Sequence, residues 1–330
     1  MANTLAEYET LDLTTVQKGI VETIVKESPF LGANLPFVEI VGNAHAYNLE
    51  SVMATASFYG VGDAWSENAA TWAQRTVALT ILGGDADADK FIQATRKNQD
   101  VEALTIEQKA KAVAHAYELN AIMGRTTTSD NAKQFKGLFR LIAEFESDST
   151  TDLDGINNDQ VLAAHATSDA LTLDLMDQLR DRVSPKPDAF MMNRRMRRKL
   201  NSLCRASGNN LNVGQGKAGE VIEMYGDIPI LINDWIPSNL PDSTTSVLAI
   251  ASYDQSVTRA STYDNSAIFA LRFGEDGVCG LHNGGIQHEE VGTVSNKDAN
   301  RHRIKFYCGL MAQSTLSAAV MINVLDTALS

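Results

Sequence analysis

The sequence predicts an α+β fold, with helices and strands segregated along the chain rather than alternating. Three observations predict it. A strongly amphipathic helix pattern covers Thr105–Gly124. Two alternating apolar segments flank a long, small-residue loop between residues 44 and 82. Beyond Ser207 the apolar runs have strand length, and nothing between them has the regular helical spacing of a βαβ sheet.

The N-terminal stretch reads as an amphipathic helix. Val16, Ile20 and Ile24 recur at i, i+4, Val21 and Val25 widen the stripe, and Ser28-Pro29 ends it. Residues 30–41, with Gly32 and Pro36, read as an extended arm. A helix and arm with so little core of their own need a docking surface elsewhere. Next come two strands of a hairpin: His45, Tyr47 and Leu49 alternate on one, Val77, Leu79 and Ile81 on the other. Their connection, with Gly60-Val61-Gly62-Asp63 and a run of Ala, Ser, Thr and Asn, is long enough to suggest a binding role. In Thr105–Gly124 the residues Ile106, Ala110, Val113, Tyr117 and Ala121 share one face; Thr105 offers an N-cap and Gly124 a stop. Helices follow over Leu171–Val183 and Arg194–Leu203, separated by Pro185 and Pro187. Strands are expected over Ile228–Ile232, Val247–Ala251 and Ile268–Phe273, then in a β-rich stretch from Arg303 to Leu325. There is no internal repeat.

The chain has 330 residues with 28 basic and 41 acidic side chains, a net charge of −13 that excludes a generally basic, phosphate-coating nucleic-acid binder. The N-terminus is not an export signal: no Lys or Arg precedes Lys18, and Glu7, Glu9 and Asp12 interrupt it. No segment approaches the roughly 20 apolar residues of a membrane helix. Cys204, Cys279 and Cys308 lack zinc-ligand spacing and read as buried, reduced thiols.

Motifs for chemistry fail on context. Gly214-Gln-Gly216-Lys-Ala-Gly219 matches GxGxxG, but no convincing strand precedes it and Pro229 curtails any following helix, so it reads as a flexible loop. Asp85, Asp87 and Asp89 hint at a calcium loop, yet Lys90 and Arg96 stand where Gly and Glu are required; solvated turns are the better account. Asp152 and Asp154 fail likewise. His282 and His288 lie near Glu289 and Glu290 without metal-ligand spacing, and His115 reads as a packed histidine. No cofactor, metal site or catalytic constellation is expected. Arg194, Arg195, Arg197, Arg198 and Lys199 form one strong basic cluster, read either as surface salt bridging or as a subunit or phosphate contact.

The order of these pieces resembles the major capsid protein of tailed bacteriophages, the Johnson or Hong Kong 97-like fold. Local sequences carry the resemblance: Phe135-Lys136-Gly137-Leu138, Pro187-Asp188-Ala189-Phe190-Met191-Met192-Asn193, Tyr225-Gly226-Asp227-Ile228-Pro229-Ile230 and Trp235-Ile236-Pro237. The resemblance implies an N-terminal arm over 1–43 and an extended hairpin, the E-loop, over 44–84. A peripheral domain with a long spine helix would cover 85–155, an axial domain 156–265, and closing peripheral strands 266–330. It implies a non-enzymatic shell subunit forming hexamers and pentamers of an icosahedral capsid around packaged double-stranded DNA, in the virion, after synthesis in the bacterial cytoplasm. The partners implied are further copies of itself, a portal, decoration or cement proteins, and DNA by proximity only, with no membrane. Because the chain begins at Met1 with the arm, scaffolding is expected from a separate chain or not at all. Assembly contacts are expected from Val16, Ile20 and Ile24 on the arm, Trp65, Trp72 and Arg75 on the hairpin, and Arg194, Arg195, Arg197 and Arg198. Some family members weld their shells by a lysine–asparagine bond from the E-loop; here no lysine lies between Lys26 and Lys90. An encapsulin-type nanocompartment shell is the alternative with the same fold, and a nucleotide-binding enzyme using Gly214–Gly219 the alternative from another class.

Overall fold

The computed structural model describes residues 35–95, 101–124, 133–146, 153, 158–163, 169–208, 212–215, 221–238 and 265–325. The helix expected around Val16, Ile20 and Ile24, and the strand expected over Val247–Ala251, lie outside these residues. In chain order the elements are β1 (Phe37–Glu39), β2 (Ala44–Val52), β3 (Thr71–Ala78), β4 (Thr80–Asp89), α1 (Lys90–Thr95), α2 (Val101–Met123) and α3 (Leu138–Ala143). Then come β5 (Val161–Ala163), β6 (Asp169–Ala170), α4 (Leu173–Asp181), β7 (Ala189–Met192), α5 (Arg194–Ala206), β8 (Asn212–Gln215), β9 (Val221–Tyr225) and β10 (Ile228–Ile232). The last four are β11 (Asn265–Leu271), β12 (Val278–Thr293), β13 (Ala299–Ala312) and β14 (Ala318–Leu325).

The larger sheet runs β5-β14-β11-β7-β10-β9-β8, with β6 also paired to β14. Its central strands are apolar on both faces, so each face needs a cover. Period-two alternation sorts the side chains: Phe190, Met192, Ile268, Ala270, Ala319 and Met321 pack with Met176 and Leu179 of α4 and Met196 and Leu200 of α5. Ala189, Met191, Phe269, Leu271, Val320 and Ile322 face the other way, toward Phe139 and Ile142 of α3. The alternation breaks at Asn323, whose φ of 58° places it in the left-handed region that Asn tolerates. The register shifts opposite it between Ser266 and Ile268, and Val324 therefore joins the α4–α5 side.

The smaller sheet runs β1-β12-β13-β4. Its inner face supplies Ile304, Phe306, Cys308 and Leu310 to the same core as Val113, Tyr117 and Ala121 of α2. Tyr117 is the hub, its ring 5.8 Å from Phe37, 5.4 Å from Phe135 and 5.5 Å from Phe306. The predicted apolar face of the long helix is thus the buried one. The helix starts at Val101 rather than at an N-cap on Thr105, with Glu102 in the first turn where a carboxylate meets the positive end of the helix dipole.

Further expectations are corrected. The Asp85–Asp89 triplet forms a strand, β4, and not solvated turns, because it pairs with β13 along its whole length. Gly214 lies in β8, paired with β9, rather than in a loop; 216–220 are outside the described residues. The hairpin pairing ends at Ala78, and Ile81 belongs to β4. The helix expected from Leu171 begins at Leu173, where the Thr172 side chain accepts from Leu175 N. The closing segment is shared: β12 and β13 join β4, whereas β11 and β14 join β7.

The turn between α2 and α3 depends on two glycines. Gly137 N donates to Gly124 O at 2.9 Å. A Cβ at Gly137 would lie 2.6 Å from Asn120 O and 2.6 Å from Gly124 N, both backbone atoms that cannot swing aside. Gly137→Ala is therefore expected to destabilise the fold by about 1–3 kcal/mol through overpacking, read as a lower urea midpoint with unchanged slope. An unaltered midpoint would show that the turn relaxes freely.

Candidate assembly interface

The outer face of the smaller sheet is built from charge. Strand periodicity places Asp85 and Asp87 outward while Ala86 and Ala88 are buried, and it does the same for Arg301, Arg303 and Lys305 between His302 and Ile304. Register sets Arg301 opposite Asp87 and Arg303 opposite Asp85. Both pairs are bidentate: Arg301 Nε and Nη2 donate to Asp87 at 2.6 and 2.7 Å, and Arg303 to Asp85 at 2.5 and 3.0 Å. On the other flank Glu289 lies opposite Arg303 and pairs with Lys305. The hydrogen bonds from Arg303 and Arg301 hold the Asp85 and Asp87 carboxyls below their ordinary range. An acidic strand and a basic strand thus neutralise one another across the ladder.

The hairpin β2–β3 pairs from Ala44↔Ala78 to Val52↔Thr71, in a two-stranded sheet of its own. Its tip is apolar and uncovered: Phe58 and Val61 are fully exposed, and Met53, Trp65 and Trp72 are 75%, 83% and 71% exposed. The Trp65 ring stacks on Tyr59 at 4.4 Å, and Gly60 N donates to the Asp63 carboxylate at 2.5 Å, so the tip has local order without a core. An isolated two-stranded hairpin is marginal in water, and a cluster of large exposed apolar side chains marks a contact surface.

The hairpin root is anchored. Tyr47 Oη donates to Ala312 O at 3.3 Å, Arg75 Nη2 to Glu144 O at 3.2 Å, and Leu79 N to Asn43 O at 2.8 Å. The buried Glu144 carboxylate is held by Lys136 and Arg140, each at 2.7 Å. Beside these contacts opens a cleft of about 500 Å³ walled by Tyr47, Val77, Leu79, Phe135, Phe145 and Leu310.

On α5 the amphipathic pattern buries Met196, Leu200 and Cys204 and turns the cations outward, apart from a buried Lys199. Asn193 caps the helix, accepting from Met196 N at 2.8 Å and donating to Ser266 Oγ at 2.8 Å. Arg194 pairs with Asp234 at 2.9 Å and Arg197 with Glu223 at 3.3 Å; Arg195 and Arg198 are exposed. Surface pairing therefore accounts for Arg194 and Arg197. The structure brings Trp65 and Trp72 onto one hairpin with Arg75 at its root, and it sets the α5 arginines on another element.

Elsewhere, His115 packs against Trp235 at 5.4 Å as expected of a packed histidine. All three cysteines are buried and free, and burial pushes the Cys279 thiol up to about 11 and Cys308 up to about 12. Among the described residues no group of three His, Cys, Asp or Glu side chains could hold a metal ion, and no helix is long and apolar enough to cross a membrane. One pair had no signal in the sequence: His288 on β12 stacks on the buried His302 of β13 at 5.2 Å.

No protein-family model and no curated protein sequence matches the chain. Solved structures do, over its whole length. The holo-SrpI encapsulin complex of Synechococcus elongatus PCC 7942 superposes with a TM-score of 0.67 at 16% identity, covering 100% of this chain and 99% of that one. The capsid of a native GTA particle gives 0.65 at 13% identity, covering 98% and 99%. The capsid of Myoviridae phage XM1 gives 0.61 at 12%, covering 97% and 99%. The fold is the Hong Kong 97-like capsid fold. The hairpin β2–β3 and the long helix α2 are the elements that the sequence reading expects as the E-loop and the spine helix.

Because the Asp85 and Asp87 carboxyls are depressed in the folded chain, their stabilising contribution is complete above the unfolded carboxylate pKa of roughly 3.9. It is lost as pH falls through the lower folded values. The double substitution Asp85→Asn/Asp87→Asn should therefore flatten the fall of stability below about pH 4, measured by denaturant unfolding across an acid series. An unchanged acid slope would mean that other carboxylates dominate.

Proposed function

We propose that this chain is the shell-forming subunit of a tailed-phage-type capsid, self-assembling into hexamers and pentamers of an icosahedral shell around packaged double-stranded DNA. The observation that carries the reading is the E-loop, a solvated hairpin with five large apolar side chains uncovered at or near its tip. Such a hairpin has no cover within the described subunit, and a neighbouring copy supplies one. Burying each of these side chains contributes on the order of 1.5–3 kcal/mol, enough to decide a weak contact repeated around a shell. The full-length likeness to capsid structures supports the same reading. The net charge of −13 suits a shell that must not adsorb its genome. Arm residues Val16, Ile20 and Ile24 contribute further subunit contacts, and a portal and decoration or cement proteins are its further partners. The virion is its place of action, following synthesis in the host cytoplasm.

The encapsulin of Synechococcus favours a second reading, a nanocompartment shell around cargo protein. Negative-stain microscopy of the purified protein tests assembly: closed shells, rings or sheets support it, and a discrete small oligomer refutes it. Nuclease-resistant DNA in the particles selects the phage-type shell, and a co-purifying enzyme selects the nanocompartment.

Two outcomes are expected of assembled particles. Amides of residues 55–75 should exchange more slowly in the shell than in the free subunit, since their cover is another chain; equal exchange counts against E-loop docking. Particles boiled in detergent and reductant should release a single band near 35.8 kDa. The E-loop holds Arg75 but no lysine, and a guanidinium stays protonated and is a poor nucleophile. A ladder of multimers would place a weld elsewhere, for instance at Lys90 or Lys305.

A further inference from the structure

The hairpin β2–β3 carries two apolar surfaces of opposite shape, one at each end. At the root, the cleft of about 500 Å³ is lined by Tyr47, Val77, Phe135, Phe145 and Leu310. A cavity of ~150 Å³ accepts one benzene ring, so this space takes an indole with a second ring beside it. At the tip, Phe58 and Val61 are fully exposed, and the Trp65 ring stacks on Tyr59 at 4.4 Å. Tyr59 Oη lies 3.1 Å from Ser66 Oγ, and Asp63 N donates to Gly60 O at 3.3 Å, so the stack is a preformed knob.

Charge matches as well as shape. Between residues 53 and 74 the charged side chains are Asp63 and Glu67, both exposed, with no Lys or Arg among them. At the cleft, Lys136 and Arg140 share the one Glu144 carboxylate, each at 2.7 Å. Lys133, next to Gln134 of the cleft wall, is exposed. The tip is therefore negative and the root positive, a combination that steers two such surfaces together and sets their orientation.

The two surfaces of one chain do not meet. The paired strand from Thr71 to Val77 spans roughly 20 Å at about 3.4 Å per residue, and it separates the cleft from the tip. Phe58, Val61 and Trp65 stand in solvent, outside that cleft. A second copy of the chain presents the complement that each end lacks.

We propose that the aromatic knob of one hairpin, Phe58 with the Tyr59–Trp65 stack, docks in the root cleft of a second copy, with Asp63 and Glu67 facing Lys133 and Lys136. The proposal rests on the shell reading for its choice of partner and names the surface that receives the tip. A contact between unlike patches is head-to-tail: each subunit gives its tip to one neighbour and receives the tip of another. Such a contact closes into a ring when its rotation closes.

Disulfide trapping between two singly substituted full-length chains tests the contact. Val61→Cys places a thiol on the exposed tip and Gln134→Cys one on the cleft wall, while the three native thiols are buried. Under mild oxidation by dissolved oxygen, a mixture of the two is expected to yield covalent dimer about tenfold above either variant alone, because docking raises the effective concentration of the thiols. Equal yields would overturn the proposal. Adding Phe58→Ala and Trp65→Ala to the tip variant should abolish the excess; an undiminished yield would mean chance collision and refute docking. A chain carrying both cysteine substitutions should give a ladder of multimers, whereas a faster-migrating monomer would show the tip reaching its own cleft. Trapping of Gln134→Cys by Leu11→Cys in place of Val61→Cys would assign the cleft to the N-terminal segment and also overturn the proposal. The readout needs no closed particle. Shells that form without this trapping leave the shell reading standing and refute the tip-to-root contact; trapping without shells supports the contact and counts against the shell.

Discussion

The β12–β13 ladder is the constraint on which the rest of the smaller sheet depends. It is paired from Val278↔Ala312 out to Thr293↔Asn300, so one end lies in the core and the other extends past it. At the core end, β1 adds in parallel to β12, placing Phe37 against Tyr117 and Phe306. Beta-strand β4 pairs with the other edge of β13, and the hairpin springs from the chain just before β4, tied back by Tyr47 to the last residue of β13. The arm segment, the hairpin root and the spine helix are therefore all referenced to one pair of strands. A displacement of that pair moves all three together, whereas the larger sheet is linked to it mainly through packing under α2 and α3.

The two sheets reach stability by different physics. In the larger sheet both faces are apolar and covered, so its strands are fixed by burial and by strict alternation, and one left-handed Asn suffices to swap a residue from one face to the other. In the smaller sheet only the inner face is apolar. The outer face is specified by matched charges, where a slip of one residue would set Asp85 and Asp87 beside inward-facing side chains rather than arginines. Exposed ion pairs add little to stability individually. Their value here is in register, since bidentate Arg–Asp geometry is satisfied only in one alignment.

Much of this was legible in the sequence, and the exceptions are instructive. The hairpin, the buried face of the spine helix, and the α5 helix with its apolar stripe all follow from local periodicity, which survives into the structure because each packs one face. The 16-residue β12 was not legible: Gly280, Gly284, Gly285 and Gly292 interrupt any pattern, and it is a strand because β13 lies alongside. The Asp85–Asp89 segment was misread for the same reason, its partners lying more than 200 positions away. Of the candidate contact residues, Trp65 and Trp72 proved to be exposed apolar side chains on one hairpin, while Arg194 and Arg197 met acids of their own chain. The stacking of His288 on His302 had no sequence signal, because a ring contact across a ladder needs proximity rather than spacing.

The makeup of the hairpin tip also has a thermal consequence. Removing Phe58, Val61, Trp65 and Trp72 from water is driven near room temperature by solvent entropy and carries a negative heat-capacity change. With no lysine in the loop to weld it, a subunit contact built on these side chains weakens on cooling and tightens on warming, until the subunit itself begins to melt. On the proposed shell reading, assembly held this way would be cold-labile and reversible, and storage temperature would shift the balance between free subunits and closed particles as effectively as dilution does.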